Sequence, residues 1–287
     1  MNFIKTPLSA GLYFVGVPIG TARDITLRAL DVLASADTLA AEDTRSLRRL
    51  MDIHGVPLSG RKLIALHDHS KTDAVSSLVS RISSGESVAY ASEAGMPLIA
   101  DPGFELGQAV RDAGLNVTCA PGASAVVTAL SLAGLPTDRF HFVGFLPNTS
   151  QARQAELSTL KDIRATLAFY ESPKRLAAML QDCSRVLGKT RHAAVCRELT
   201  KKFEEVQRGT LEDLAQQYSK VNPKGEIVVL VDRGDLEKVS EKEVSSDLSD
   251  AMLDHSMRDA VDIVAKAHDL PRRQVYQMAL SMTKDKG

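Results

Sequence analysis

The sequence predicts an α/β protein built as two α/β domains followed by a small helical hairpin. Three observations carry this expectation. Short apolar runs alternate with amphipathic helical patterns from residue 11 onward, which is the signature of a mostly parallel sheet with helices on both faces. The alternation is broken at "GLPTDRF" (134–140), a stretch with Gly, Pro and Asp, and then starts again. Residues 232–250 are acidic and poor in aromatics, and two short amphipathic segments follow. The boundaries drawn are an N-terminal domain at 1–135, a C-terminal domain at 136–232, a linker at 233–250 and a helix-turn-helix-like tail at 251–287.

The elements follow in order. "GLYFVGV" (11–17) reads as the first strand. In "DITLRALDVLASA", Asp24 is placed to cap a helix with Ile25, Ala29, Val32, Leu33 and Ala36 on one face. "TLAA" (38–41), "KLIAL" (62–66) and "SVAYA" (87–91) read as further strands, and Val75, Leu78, Val79 and Ile82 mark a helix between the last two. "LNVTCAP" (115–121) is a fifth strand, with the helix "ASAVVTALSLAG" behind it. Past the break come "FHFVGF", a helix near 151–161, "ATLAFYES", a helix from Pro173, "HAAVCREL" and "GEIVVLV". "KKFEEVQRG" (201–209) reads as an edge strand or a loop. In the tail, "RDAVDIVAKAHDL" and "RRQVYQMALSM" are helices split at Pro271.

Composition narrows the class. The chain has 287 residues, 44% hydrophobic and 25% charged, ordinary for a globular protein. No apolar run approaches the roughly 18 residues of a membrane span, and "MNFIKTPLSAG" lacks the apolar core of a secretory signal. Cys119, Cys183 and Cys196 are odd in number and far apart, which suits a reducing cytoplasm better than a disulfide framework or a CxxC metal site. Net charge is -1, yet residues 148–208 hold 12 bases against 7 acids, a candidate footprint for phosphates.

Three strand ends carry glycine loops: "GVPIGTARDIT", "YASEAGMPLIADPG" (90–103) and "APGASA" (120–125). Ligands of open α/β sheets bind at the carboxyl ends of strands, so these loops can converge on one site. The first loop supplies no G-x-G-x-x-G, and Pro18 removes a backbone N–H where a pyrophosphate cradle needs donors. That excludes a nicotinamide dinucleotide enzyme of the usual kind. The loops suit a flat, mostly uncharged ligand held by backbone groups, though each taken alone is also ordinary turn punctuation.

The order of motifs adds a resemblance. "GVPIGTARDITLRAL", "AAEDTR", "ALHDHS", "SEAGMPLIADPG", "PGASA", "GLPTDRF", "GFLP", "FYESPKRL", "CRELTKKFEE" and "KGEIVVLV" occur in the order found in the ribosomal small-subunit methyltransferase I family. That family lies within the tetrapyrrole-methylase-like enzymes that use S-adenosylmethionine (SAM), and the resemblance spans about residues 11–232. It implies two domains of the tetrapyrrole methylase type with a SAM cleft between them, and a homodimer. It also implies methylation of the ribose 2′-oxygen of cytidine 1402 in 16S rRNA within the 30S subunit. The chain departs from the family pattern at Glu93, Met96 and Ala100, where Asp, Thr and Asn or Ser are common.

On that resemblance, Pro18, Gly20, Ser92, Ala94, Gly95, Pro121, Gly122, Ala123 and Ser124 fall on the SAM side, and Asp101 either contacts SAM or fixes its loop. A ribose hydroxyl is a poor nucleophile, so a base or a stabilising charge is expected nearby. Glu42, Asp43, His67, Asp68, Glu198 and Lys201 are the candidates, and no single base can be chosen among them. His67 and His69 alternate across a strand end, so at most one faces a cleft, and no third ligand completes a metal site. Arg23, Arg45, Arg153, Lys174, Arg175, Arg197, Lys201 and Lys202 are candidate phosphate contacts. Tyr170 and Phe203 can stack on bases, with core packing the plainer role for both. Two alternatives share the fold: a methylase of small tetrapyrroles, which needs no basic excess, and a non-catalytic RNA-binding assembly factor, which binds without turnover.

Overall fold

Strand β1 (Gly11–Val15) sits inside the first sheet of the computed structural model, which describes residues 3–66, 72–101, 103–233, 241–268 and 270–284. It is joined by β2 (Thr38–Ala41), β3 (Lys62–Ala65), β4 (Ser87–Ala91) and β5 (Val117–Ala120) in the order β3-β2-β4-β1-β5, all parallel. The runs "SVAYA" and "TLAA" are buried throughout, as a parallel sheet covered on both faces requires. One face packs α1 (Leu27–Ser35) and α2 (Thr44–Ile53), with Leu30, Leu33, Leu47 and Met51 against Val15, Leu39 and Ala89. The other packs α3 (Thr72–Ser83) and α4 (Phe104–Asp112), with Leu78, Ile82, Leu106 and Val110 against Leu12, Val88 and Tyr90. Helix α1 is capped by Thr26, which accepts from the Ala29 N–H at 3.1 Å, and not by Asp24, which lies in the single turn before it.

The second sheet departs from the parallel expectation. It contains β6 (Phe140–Phe145), β7 (Thr166–Glu171), β8 (His192–Arg197), β9 (Glu205–Thr210) and β10 (Ile227–Val231) in the order β6-β7-β10-β8-β9. Only β6 and β7 are parallel; the other three pairs are antiparallel. The link from β8 to β9 is too short for a crossover helix, so β9 folds back beside β8 as the half-exposed edge. Helices α6 (Ser150–Leu160), α7 (Leu176–Leu187) and α8 (Leu211–Ser219) cover one face through Leu157, Met179, Leu180 and Leu214. The opposite face is covered by α5 (Ala125–Ala133), whose Val126, Ala129, Leu130 and Ala133 bury against Ala168, Ala194, Val228 and Leu230. Sequence order places this helix at the end of the N-terminal half, yet its apolar surface is used by the second sheet. Residues Met1–Arg233 form one compact unit.

The second unit, Gly234–Gly287, contains three helices among its described residues: α9 (Glu241–Asp254), α10 (Met257–Ala267) and α11 (Arg272–Lys284). The first occupies residues read from sequence as part of a linker. Val244 and Leu248, one turn apart, bury against Ala260, Val261, Val264, Val275 and Ala279. Two apolar positions in an acidic stretch are enough for a helix that has a hairpin to pack on. No helix among the described residues is long and apolar enough to cross a membrane.

Candidate active site

The sheet order sets β4 and β5 on either side of β1, so the loops leaving their carboxyl ends meet. The Val17 N–H donates to the Gly95 carbonyl at 2.9 Å, and the Gly95 N–H returns a bond to the Val17 carbonyl at 3.1 Å. Gly16 and Gly122 touch backbone to backbone: a Cβ on Gly16 would lie 2.5 Å from the Gly122 nitrogen. The Gly122 N–H donates to the Met96 sulfur at 3.2 Å, so the thioether at this departure from the family pattern ties the second loop to the third. Leu98 and Ala100 both hold positive φ in that second loop, and so do Glu198 and Thr200 across the cleft. Left-handed non-glycine residues are costly and gather where a site over-determines the backbone.

Residues 198–201, from "CRELTK", form the opposite wall. The Glu198 carboxylate accepts the Glu226 N–H at 2.9 Å and pairs with Lys201 Nζ at 3.1 Å, while Lys201 also reaches Glu226 at 3.0 Å. The Glu226 N–H, and then Lys201, hold the Glu198 pKa below the usual range. Burial alone would lower the Lys201 pKa, but its bonds to Glu226 and Glu198 outweigh that and raise it. Glu198 is thus kept as a carboxylate and Lys201 as an ammonium. The Thr200 hydroxyl accepts from the Thr21 N–H at 3.3 Å, and a Cβ on Gly20 would lie 2.5 Å from that hydroxyl. The first loop and this wall therefore touch directly.

Between them lies a cleft of about 630 Å³. Ile19, Ile99, Leu199, Ile227 and Val228 give it apolar surface suited to a flat ring. Among the described residues, Glu42, Glu93, Asp101 and Glu226 bring carboxylates to it and Lys201 an ammonium, while Glu171 borders it with a buried side chain paired with Arg175, its pKa raised by burial. Such a lining repels a phosphate and favours a cation. Cys196 also lines the cleft, but burial pushes its thiol up to about 11, so it is no thiolate nucleophile at neutral pH.

The predicted residues separate clearly. Pro18, Gly20, Ala94, Gly95, Asp101 and Ser124 line the cleft. Pro121, Gly122 and Ala123 do not line it; Gly122 serves the loop junction. Ser92 is buried beneath, its hydroxyl without a hydrogen-bond partner among the described residues. Glu42 lines the cleft and accepts the Glu93 N–H at 3.0 Å. Asp43 instead caps α2, accepting from the Arg45 and Ser46 N–H groups, and its side-chain bond to Arg45 lowers its pKa. His67, Asp68 and His69 lie outside the described residues.

Among the cationic candidates, Arg23, Lys174 and Lys202 are exposed and make no ion pair among the described residues. Arg45 is 91% exposed but paired with Asp43. Arg153 corrects the expectation: its side chain is 4% exposed and bound to Asp182 at 2.7 Å, out of reach of a phosphate. Arg175 is likewise committed, to Asn148, the Leu146 and Pro147 carbonyls and Glu171. Arg197 is paired with Glu205 at 2.9 Å. Phe203 is exposed with Lys202 over its ring, so it is no core residue. Reasoning from sequence quoted "KGEIVVLV" and "GFLP" as motifs but singled out neither Glu226 nor Phe145, both of which line the cleft, Phe145 from the end of β6.

Comparison with known proteins shows the family and the fold. Residues 11–215 match the family described as Tetrapyrrole (Corrin/Porphyrin) Methylases, and residues 239–283 match the RsmI C-terminal HTH domain. The chain is 48% identical over 226 residues to the ribosomal RNA small subunit methyltransferase I of Mesorhizobium japonicum, covering 78% of this chain and 76% of that one. It is 40% identical over 275 residues to the protein of that name from Halalkalibacterium halodurans, covering 93% of each. A uroporphyrin-III C-methyltransferase from Thermus thermophilus, solved with S-adenyl homocysteine, shares the fold at TM-score 0.53 and 18% identity, over 77% of this chain and 96% of that one.

Proposed function

We infer, because the chain belongs to the ribosomal RNA small subunit methyltransferase I family, that it methylates the ribose 2′-oxygen of cytidine 1402 in 16S rRNA, using SAM and acting on the 30S subunit. The observation that carries this reading is the charge of the cleft: among the described residues the carboxylates of Glu42, Glu93, Asp101 and Glu226 line it, and the one lining ammonium, Lys201, is already shared between Glu226 and Glu198. Bound there, SAM supplies a methyl group on a cationic sulfonium. The backbones of Gly20, Ala94 and Gly95, with Ser124 and Asp101, are the groups that would hold it, and the aliphatic lining suits its adenine. The glycines let main chain approach the ligand closely.

Alignment of the acceptor oxygen with the methyl group provides much of the rate in such a displacement. The proton must leave that oxygen. Asp43 is committed as a helix cap and Glu198 to Lys201, which leaves Glu42 as the described candidate that lines the cleft with no cation bound to it. Lys201 contributes a fixed positive charge for the developing alkoxide. Arg23, Lys174 and Lys202 are the remaining phosphate contacts, and a homodimer in the cytoplasm widens the basic surface.

The test is methyl transfer from labelled SAM to unmodified 30S subunits, naked 16S rRNA and a precorrin mixture. Label on 30S particles in excess of naked rRNA supports the reading. Label on the tetrapyrrole alone moves the substrate while keeping the fold and the methyl donor. Binding of 30S with no transfer favours an assembly factor.

A further inference from the structure

The edge strand β6 contains an irregularity that bears on how RNA is held. Phe142 pairs with Ala168, but Gly144 pairs with Phe169 and Phe145 with Tyr170, so Val143 is an extra residue without an opposite number. In a regular strand residues 142 and 145 point to opposite faces, because side chains alternate with period two. The bulge removes that half-step and puts both rings on the Ala168 and Tyr170 face. Ring geometry agrees: Phe142 lies 5.0 Å from Tyr170 and Phe145 5.6 Å, both edge to face. Gly144 makes the turn at φ +80, a conformation side chains rarely adopt.

The result is a phenyl ring at the cleft that remains 57% exposed although it packs on Tyr170, whose ring is in turn held by Phe142. Behind it, Arg175 binds the Leu146 and Pro147 carbonyls and Arg153 binds those of Pro147 and Asn148, so the chain leaving the ring is pinned. A braced, exposed aromatic is what an unpaired base stacks upon when its nucleotide leaves the RNA stack. The acidic cleft admits a neutral nucleoside and rejects its phosphates, while Lys174 stands exposed on the turn whose Ser172 and Pro173 line the same cleft.

We propose that Phe145, backed by Tyr170, is the stacking platform for the unpaired nucleobase whose ribose enters the cleft. This rests on the reading of the chain as an RNA ribose methyltransferase. The test uses the full chain and its Phe145→Ala, Phe145→Leu and Phe145→Tyr variants. KM and kcat are measured on unmodified 30S subunits, 30S affinity by co-sedimentation, SAM affinity by calorimetry and oligomeric state by light scattering.

Loss of a base stack is expected to raise the KM and Kd for 30S roughly 5- to 100-fold in the Ala and Leu variants. The Tyr variant should remain within about threefold, because its ring keeps the π face. SAM affinity and oligomeric state should not change. A Leu variant equal to the parent would reduce the ring to an apolar contact and overturn the proposal. So would a parallel loss of SAM affinity, which would assign the ring to the methyl donor, or a dimer that dissociates in the Ala variant, which would assign it to a second copy. If the parent transfers no label to 30S, the functional reading fails, and the co-sedimentation series alone still decides for or against the platform.

Discussion

Asp182→Ala strikes the charge network behind the aromatic wall, and its cost follows from the geometry around the carboxylate. Asp182 receives Arg153 Nε at 2.8 Å and Nη2 at 2.7 Å, the Ser150 hydroxyl at 3.0 Å and the Gln154 amide at 2.8 Å. Both side chains of the ion pair are about 5% exposed or less. Alanine leaves a buried guanidinium without its carboxylate, a change that costs about 3–5 kcal/mol. In a unit of this size 1 kcal/mol moves Tm by about 2–4 °C, so differential scanning calorimetry should show the unit's transition fall by roughly 6–20 °C. Arg153→Met combined with Asp182→Leu removes both charges and should restore most of the stability, since a well-packed apolar pair often replaces a buried ion pair without penalty. The double variant should also keep the parent's salt dependence of 30S binding, because Arg153 reaches no phosphate. A fall in Tm under about 4 °C for Asp182→Ala would show that the network does not carry its geometry in energy.

Three further predictions follow from the cleft. Gly95→Val introduces a β-branched residue at φ +74, with Cβ 3.3 Å from Ile19, and should weaken SAM binding at least about tenfold in calorimetry while circular dichroism is retained; unchanged affinity would move the ligand away from this loop. Lys174→Ala with Lys202→Ala should reduce the slope of log K for RNA binding against log salt by roughly 0.7 for each phosphate no longer neutralised, and an unaltered slope would return both to the solvated surface. The Glu198 pKa is held below its ordinary value of 4.5, so its stabilising contribution is complete above that value and is lost as pH falls through the depressed pKa. Glu198→Gln should therefore flatten the acid limb of Tm against pH, and an identical acid limb would contradict the bond to Glu226.

The central strands β1, β2 and β4 of the first sheet were legible because each is buried on both faces and reads as a continuous apolar run, such as "SVAYA". Their order was not, since pairing β1 with β4 and β5 is a long-range choice with no local signal. The antiparallel second sheet was hidden for a related reason: "IVVLV" looks the same in either sense, and only the short return from β8 to β9 decides. Helix α9 was masked by its acids, with Val244 and Leu248 as its sole deeply buried described positions. The glycine loops were visible as loops, but the Gly16 and Gly122 contact that joins two of them was not. Arg153 looked like a surface cation because sequence cannot show that Asp182 lies above it. Phe145 was missed because its role depends on one inserted residue, Val143, that reverses the face of everything after it.

The identity of the methylated atom is the most direct test of the functional reading. A ribose 2′-oxygen is the nucleophile of alkaline RNA cleavage, so a methyl group there leaves one gap in a hydrolysis ladder. Unmodified 30S subunits would be incubated with the protein and labelled SAM, and the extracted 16S rRNA hydrolysed in alkali. The expected result is a single gap at cytidine 1402 that carries the label and is absent without protein. Label on a base with an unbroken ladder, or a gap at another nucleotide, would contradict the assignment.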